Sequence, residues 1–197
     1  GQKHINVDGP LAGRLLHEKV LPDGATIPLA TILMKVAEVE FAFRFGATLP
    51  PRATPYAQAE VMAAVESLHP AIEIPDSRYE DFCAVGAAQL IADNACANLF
   101  ILGPATDVDW RSVDLSSQAV SATVNGKAHH AGKGANVLGD PRIALTWIVN
   151  ELSAHGIAME AGQVVTTGTC VVPVAVQPGD LVEAEYGPFG RLSVRFS

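Results

Sequence analysis

Positive charge is scarce in this sequence. Its 197 residues include 13 Lys or Arg against 21 Asp or Glu, which gives a formal net charge of −8 at pH 7. Nucleic acids and anionic membrane surfaces are bound through an excess of basic side chains. The charge balance therefore predicts that neither a nucleic acid nor a membrane surface is a partner of this chain.

Cysteine and long apolar runs are scarce too. The three cysteines, Cys83, Cys96 and Cys170, are odd in number and lack CxxC spacing, so they predict neither a disulfide framework nor a zinc site. They fit a reducing cytoplasm, which we predict as the location. No apolar stretch is long enough to span a bilayer. No signal peptide is apparent, although the sequence starts at Gly1 and not at Met.

Apolar residues are abundant overall, at 49% against 17% charged, which fits one compact domain with a substantial core. Periodicity and turn residues predict strands over residues 31–46, 71–75, 98–102, 121–125, 163–167, 171–176, 181–186 and 191–196. They predict helices over residues 56–68, 80–97 and 141–155. Asn125-Gly126 is typical of a hairpin turn. Together these elements predict a β-rich α+β fold.

Two acids stand at alternate positions of the apolar run over residues 36–43. Side chains two apart on a strand share a face, so Glu38 and Glu40 should point the same way. Glu73 lies in a second apolar segment, between Ile72 and Ile74. Acids set among hydrophobes cost free energy unless something pairs with them, and Mg²⁺ binds to such oxygen ligands. The three acids are therefore a candidate metal site; the alternative is that Glu38 and Glu40 face solvent.

Other candidate motifs are weaker. Gly132-x-Gly134 lacks the third glycine of a dinucleotide-binding fingerprint. His129-His130 is more typical of a solvated loop than of a metal site. Asp76-Ser77-Arg78 follows the strand of Glu73, so Arg78 could pair with a carboxylate, bind a substrate acid, or form a structural pair with Asp76.

A threonine-rich stretch, residues 166–169, offers hydroxyl and N–H groups at a strand end. These groups suit a carboxylate or enolate oxygen, and the alternative is an ordinary strand with a glycine bulge.

Taken together, these segments resemble the 2-keto-4-pentenoate hydratase branch of the fumarylacetoacetate hydrolase superfamily, which includes 4-oxalocrotonate decarboxylases. The matching stretches run nearly end to end: Gly1-Gln2-Lys3, Glu38 to Phe43, Glu73 to Arg78, Ala92 to Ala95, Gly132 to Pro141, Thr167-Gly168-Thr169, Pro178-Gly179-Asp180 and Leu192 to Phe196. The resemblance implies a fold of the fumarylacetoacetase C-terminal type, a mixed β-sheet roll with a few flanking helices.

The resemblance also implies the site. Glu38, Glu40 and Glu73 would hold Mg²⁺ or Mn²⁺, which would chelate a 2-oxo acid and stabilise its enolate. Lys3 would transfer a proton or contact a substrate oxygen. The remaining implied roles are orientation of the site for Asp76 and Arg78, and substrate contact for Thr167, Gly168 and Thr169. The family's helical segment before Gly-x-Lys is absent, so residues 1–197 are expected to form a single catalytic domain without it.

The resemblance implies a metal-dependent hydratase that converts a 2-hydroxy-2,4-dienoate to a 4-hydroxy-2-oxo acid in aromatic meta-cleavage catabolism. The alternatives are a 4-oxalocrotonate-type decarboxylase, an acylpyruvate C–C hydrolase and a non-catalytic subunit. The implied partners are a small 2-oxo acid, further copies of the chain in a homo-oligomer, and a related decarboxylase or hydratase in a complex.

Overall fold

The computed structural model describes residues 7–197, which contain eleven strands, three α-helices and five short 3₁₀ turns. The strands are β1 (Val20–Leu21), β2 (Thr26–Ile27), β3 (Val36–Phe45), β4 (Val65–Ile74), β5 (Leu99–Leu102), β6 (Ala119–Val124), β7 (Ala128–Lys133), β8 (Val164–Thr169), β9 (Val174–Ala175), β10 (Leu181–Glu185) and β11 (Arg191–Phe196). The helices are α1 (Gln58–Ala64), α2 (Ala87–Ala92) and α3 (Pro141–Ala154). Within these residues, no helix combines the length and apolar character needed to cross a bilayer.

The strands form two mixed sheets, which confirms the α+β prediction. The first has the order β1-β5-β4-β3-β8, with β9 paired to the start of β3, and the second has the order β2-β11-β10-β6-β7. A shared core lies between them. Phe41 of the first sheet meets Tyr186, beside the second, at 5.6 Å between ring centroids. Alternation along β3 sends Val39, Phe41 and Phe43 into this core, where none is exposed to solvent.

The predicted helix over residues 56–68 is wrong beyond Ala64. Val65 starts β4, a ten-residue strand that pairs antiparallel with β3 along almost its whole length. Apolar residues at helical spacing continue from α1 into this strand, so periodicity alone could not place the boundary. The ladder with β3 offers a backbone partner along the strand, and this tertiary pairing outweighs the local pattern.

Two further expectations need correction. The predicted helix over residues 80–97 shrinks to α2, because Gly86 precedes it with a positive φ and left-handed residues follow it at Asn94, Ala95 and Cys96. His129 and His130 lie in β7 rather than in a loop. The hairpin turn at Asn125-Gly126 is confirmed, and so is α3, which begins at Pro141 with Asp140 as its N-cap.

Gly132 sets how closely the second sheet approaches the end of β8. A Cβ on Gly132 would lie 1.9 Å from the carbonyl oxygen of Cys170, the residue that follows β8. Cys170 in turn donates its N–H to Val39 O of β3 at 2.7 Å. Only glycine therefore permits this contact between the β7 backbone and the segment bonded to β3.

We expect Gly132→Ala to lower the free energy of unfolding by about 1–3 kcal/mol, because the backbone must shift to relieve the overlap. Urea denaturation measures this change in the free energy of unfolding. Gly9→Ala is the matched control, since a Cβ on Gly9 meets nothing within 4 Å. Equal denaturation midpoints for the two variants would contradict the prediction.

Candidate metal centre

Three glutamates converge on one face of the first sheet. Glu38 and Glu40 are two residues apart on β3, and Glu73 on β4 is the direct antiparallel partner of Glu38. One carboxylate oxygen from each lies within 4.8 Å of the others. The face opposite to that of Val39 and Phe41 therefore carries three acids in contact range.

Burial makes these acids costly in their charged form. Glu40 is 0% exposed, and Glu38 and Glu73 are half-buried. Burial, with repulsion from Glu40, raises the pKa of Glu38 to about 8. Burial likewise raises the pKa of Glu40 and, with repulsion from the other two acids, that of Glu73. No Lys or Arg within residues 7–197 forms an ion pair with any of the three.

The two oxygens of Glu40 have different surroundings. Oε2 accepts hydrogen bonds from Thr166 Oγ1 and from the N–H of Gly168, the latter at 2.8 Å. Oε1 is buried and accepts no hydrogen bond from any described residue. A buried carboxylate oxygen without a partner needs a positive ligand or a proton. The carboxylate of Glu40 and those of Glu38 and Glu73 together form the kind of donor set that Mg²⁺ prefers, so the residues fit a divalent metal.

A β-bulge in β8 supplies the hydrogen bonds to Glu40. Glu40 pairs with Thr169 and Ala42 pairs with Thr166, so two residues of β8 oppose the single Phe41 of β3. The extra residue frees the N–H of Gly168 for the carboxylate. Gly168 has φ +108°, a conformation that side-chain-bearing residues rarely adopt.

The three predicted substrate-contacting residues have different surroundings in the structure. The hydroxyl of Thr167 is buried and donates to Phe41 O at 2.9 Å, and that of Thr169 donates to Val171 O at 2.8 Å. Gly168 lies beside the glutamates through its N–H. The missed residue is Thr166, which the sequence places in the same threonine-rich stretch but which only the bulge identifies as a partner of Glu40.

Asp76 and Arg78 lie after β4 and make backbone contacts. Asp76 Oδ1 accepts the N–H groups of Leu33 at 2.8 Å and Met34 at 3.1 Å, so it joins the segment after Glu73 to the segment before β3. The side chain of Arg78 is 78% exposed and pairs with Asp93. Asp76 and Arg78 therefore do not form the structural ion pair with each other that the sequence left open. Lys3 lies outside the described residues.

Asp93 was not among the predicted site residues, yet it organises this region. Its carboxylate accepts Ser77 Oγ at 2.6 Å, the N–H of Arg78 at 2.9 Å, and Nε of Arg78. Burial alone would raise the pKa of Asp93, but these hydrogen bonds outweigh burial and lower it. The chain segment that follows Glu73 is therefore held by a buried, charged carboxylate.

Comparison with known proteins gives this geometry a context. The model of the fumarylacetoacetate (FAA) hydrolase C-terminal family matches residues 15–197. The chain belongs to the fumarylacetoacetate hydrolase family. A 2-keto-4-pentenoate hydratase of Paraburkholderia xenovorans (strain LB400) is 31% identical over 195 residues, which cover 99% of this chain and 71% of that protein. A 4-oxalocrotonate decarboxylase of a Pseudomonas species is 35% identical over 191 residues, 96% of this chain and 71% of that protein.

A solved structure of a family member agrees with the fold. The 4-oxalocrotonate decarboxylase from Pseudomonas putida G7, complexed with magnesium and adipate, has a TM-score of 0.87 and 30% sequence identity. The superposition covers 98% of this chain and 72% of that one. The predicted resemblance and fold are thereby confirmed, and divalent metal binding by a relative accords with the three glutamates described here.

Because Thr166 orients Glu40, we expect Thr166→Val to weaken Mg²⁺ binding about 10- to 100-fold, the usual effect of losing a hydrogen bond to a metal ligand. Isothermal titration calorimetry measures the affinity. Thr123→Val, on β6 of the second sheet, is the matched control and should bind Mg²⁺ as the unmodified chain does. Equal affinities for the two variants would rule out this role for Thr166.

Proposed function

We propose that this chain is a divalent-metal-dependent hydro-lyase that adds water to a 2-hydroxy-2,4-dienoate and yields a 4-hydroxy-2-oxo acid, a step of aromatic meta-cleavage catabolism. The observation that carries the proposal is that Glu40 Oε1 is buried without a partner among the described residues, in a carboxylate grouped with those of Glu38 and Glu73. Similarity to hydratases of 2-keto-4-pentenoate and 2-hydroxyhexa-2,4-dienoate supports the substrate class. The proposed unit is one catalytic domain, residues 1–197.

In this proposal Glu38, Glu40 and Glu73 hold Mg²⁺ or Mn²⁺. The metal supplies Lewis-acid polarisation of the substrate's 2-oxo and carboxylate oxygens. Thr166 and Gly168 keep Glu40 Oε2 turned toward β8 and leave Oε1 without a partner among the described residues. Asp76 keeps the segment before β3 in contact with the segment after β4. Lys3 is the proposed group for proton transfer.

The remaining predicted residues have subsidiary roles in the proposal. Thr167, Gly168 and Thr169 form the β8 border of the substrate site, with the Gly168 N–H bonded to Glu40 Oε2. Arg78 keeps the region after Glu73 in place through Asp93.

The proposed setting is cytoplasmic. The proposed assembly is a homo-oligomer that can associate with a related decarboxylase or hydratase.

A decarboxylase is the second candidate. The 4-oxalocrotonate decarboxylases cited above are as similar to this chain as the hydratases are. Both reactions start from a 2-oxo acid in its enol or keto form, and they differ in whether water is added or CO₂ leaves. Structural likeness to a fumarylacetoacetate hydrolase, at 19% identity, concerns the fold alone and gives a C–C hydrolase no separate support.

We expect Mg²⁺ to stabilise the protein against heat, because a ligand that binds only the folded state adds stability, about 2.7 kcal/mol at a hundredfold excess over Kd. Glu40→Gln should abolish this thermal shift, since it removes one of the three charges. Glu183→Gln, on an exposed position of the second sheet, is the matched control and should keep the shift. A full shift in Glu40→Gln would refute the metal site.

The choice of reaction is tested by assay with Mg²⁺ present. We expect turnover of 2-hydroxypenta-2,4-dienoate to a hydrated product, measured by loss of the diene absorbance, and no CO₂ from 4-oxalocrotonate. Glu40→Gln should reduce hydration at least about a hundredfold, because the charge stabilisation at the reacting oxygen is lost. Release of CO₂ without hydration would replace the hydratase by the decarboxylase.

A further inference from the structure

A tight turn after α2 contains three consecutive residues in the left-handed conformation. Asn94, Ala95 and Cys96 have φ of +56°, +53° and +63°. Asparagine tolerates this conformation, whereas alanine and cysteine adopt it at a cost. Such strain persists only where the surroundings determine it, and it concentrates at functional sites. The contacts of this turn show what determines it.

Asn94 binds a chain segment 80 residues away in sequence. Arg14 donates its N–H to Asn94 Oδ1 at 2.7 Å, and Asn94 Nδ2 donates to Arg14 O at 2.9 Å. The side-chain amide of Asn94 thus pairs with both backbone polar groups of Arg14. The preceding Gly13 packs against the same residue: a Cβ there would lie 2.2 Å from Asn94 O. Segment 13–15 is therefore fixed on the turn by two hydrogen bonds and one close backbone contact.

This segment covers the sheet beside the glutamates. Leu15, next to Arg14, packs against the buried cluster of Ala42, Ala71 and Phe100. Ala71 is the cross-strand partner of Glu40, and Phe100 is the cross-strand partner of Glu73. Leu15 therefore lies on the face that carries the acids, where it packs against the cross-strand partners of Glu40 and Glu73.

The same turn also binds the chain segment on the other side of the three glutamates. Cys96 O accepts the N–H of Asp76 at 2.9 Å. The neighbouring Asp93 fixes Ser77 and Arg78, as described above. Two adjacent side chains, those of Asp93 and Asn94, thus hold two different segments that flank the candidate metal centre. Among residues 7–197, neither side chain forms a hydrogen bond or ion pair with one of the three glutamates.

We infer that Asn94 is a positioning residue of the active site: its amide holds segment 13–15 as a wall beside the metal centre, and this wall orients the bound 2-oxo acid. The inference rests on the proposed function. It assigns the metal to the glutamates and the orientation of the rest of the substrate to a segment that Asn94 keeps in place. Loss of the amide frees the wall and leaves the glutamates intact.

The protein contains a close internal control. Asn125 also has a left-handed backbone, with φ +55°, and its side chain also makes two hydrogen bonds, to Asp180 Oδ1 at 2.8 Å and from the N–H of Leu181 at 2.9 Å. It lies in the β6–β7 turn of the second sheet. Asn94→Ala also removes a longer hydrogen bond, from Asn94 Nδ2 to Ala97 O at 3.4 Å. Otherwise each alanine variant removes one accepted and one donated hydrogen bond, and only Asn94→Ala affects segment 13–15.

The experiment compares steady-state kinetics of both variants on 2-hydroxypenta-2,4-dienoate with Mg²⁺, at a temperature where both are folded. We expect Asn94→Ala to lower kcat/KM about a hundredfold, with kcat falling more than KM rises, as for a misplaced orienting group. Its Mg²⁺-induced thermal shift should be unchanged. Asn94→Asp keeps the acceptor for Arg14 N–H and should fall between Asn94→Ala and the unmodified chain. Asn125→Ala should keep its activity.

Hydrogen exchange adds a readout independent of turnover: the Arg14 amide should exchange faster in Asn94→Ala and not in Asn125→Ala. Equal kcat/KM for the two alanine variants would overturn the inference, and so would loss of the Mg²⁺ shift in Asn94→Ala, which would make Asn94 part of the metal site. If the unmodified chain binds Mg²⁺ but turns over neither dienoate nor 4-oxalocrotonate, the proposed function fails, while the exchange result still decides whether Asn94 holds the segment.

Discussion

Repulsion among three carboxylates in a poorly solvated space is the constraint on which this structure depends. Glu38, Glu40 and Glu73 are brought together by the same β3–β4 ladder that buries the core on its other face. The pairing that stabilises the fold therefore also creates an electrostatic cost. A divalent cation held by the three glutamates would offset that cost, so the stability of the fold and the occupancy of the site are linked.

One oxygen of Glu40 accepts hydrogen bonds from β8, whereas the other has no partner among residues 7–197. Farther out, side chains bind backbone groups: Asp76 to the segment before β3, Asp93 to the segment after β4, and Asn94 to segment 13–15. Each contact joins pieces of chain that are distant in sequence. The centre is thus rigid on the β-sheet side, and its borders depend on a few polar side chains.

The sequence was sufficient to predict the α+β class, the shared face of Glu38 and Glu40, the hairpin at Asn125-Gly126 and helix α3. These follow from strand period, turn residues and helix caps, which are local. The length of β4 was not predictable, because its helical-looking pattern is overruled by pairing with β3. Thr166 lay in the predicted threonine-rich stretch, but its partner Glu40 was not predictable because a bulge changes which groups of β8 face an acid. Asp93 lay in the matching stretch Ala92 to Ala95, but its role was not predictable because its partners are brought near it only by the folded chain.

The bulge at Gly168 has a consequence for how β8 can vary in length. Two residues oppose Phe41 there, and the surplus residue is what releases an N–H to Glu40. Deleting that residue would restore one-to-one pairing and return the N–H to the ladder, so Glu40 Oε2 would lose this donor. Inserting one residue elsewhere in β8 would shift the register and turn the side chains beyond it to the opposite face. The number of residues between Thr166 and Thr169 is therefore as much a requirement of the site as the identity of Thr166 and Gly168.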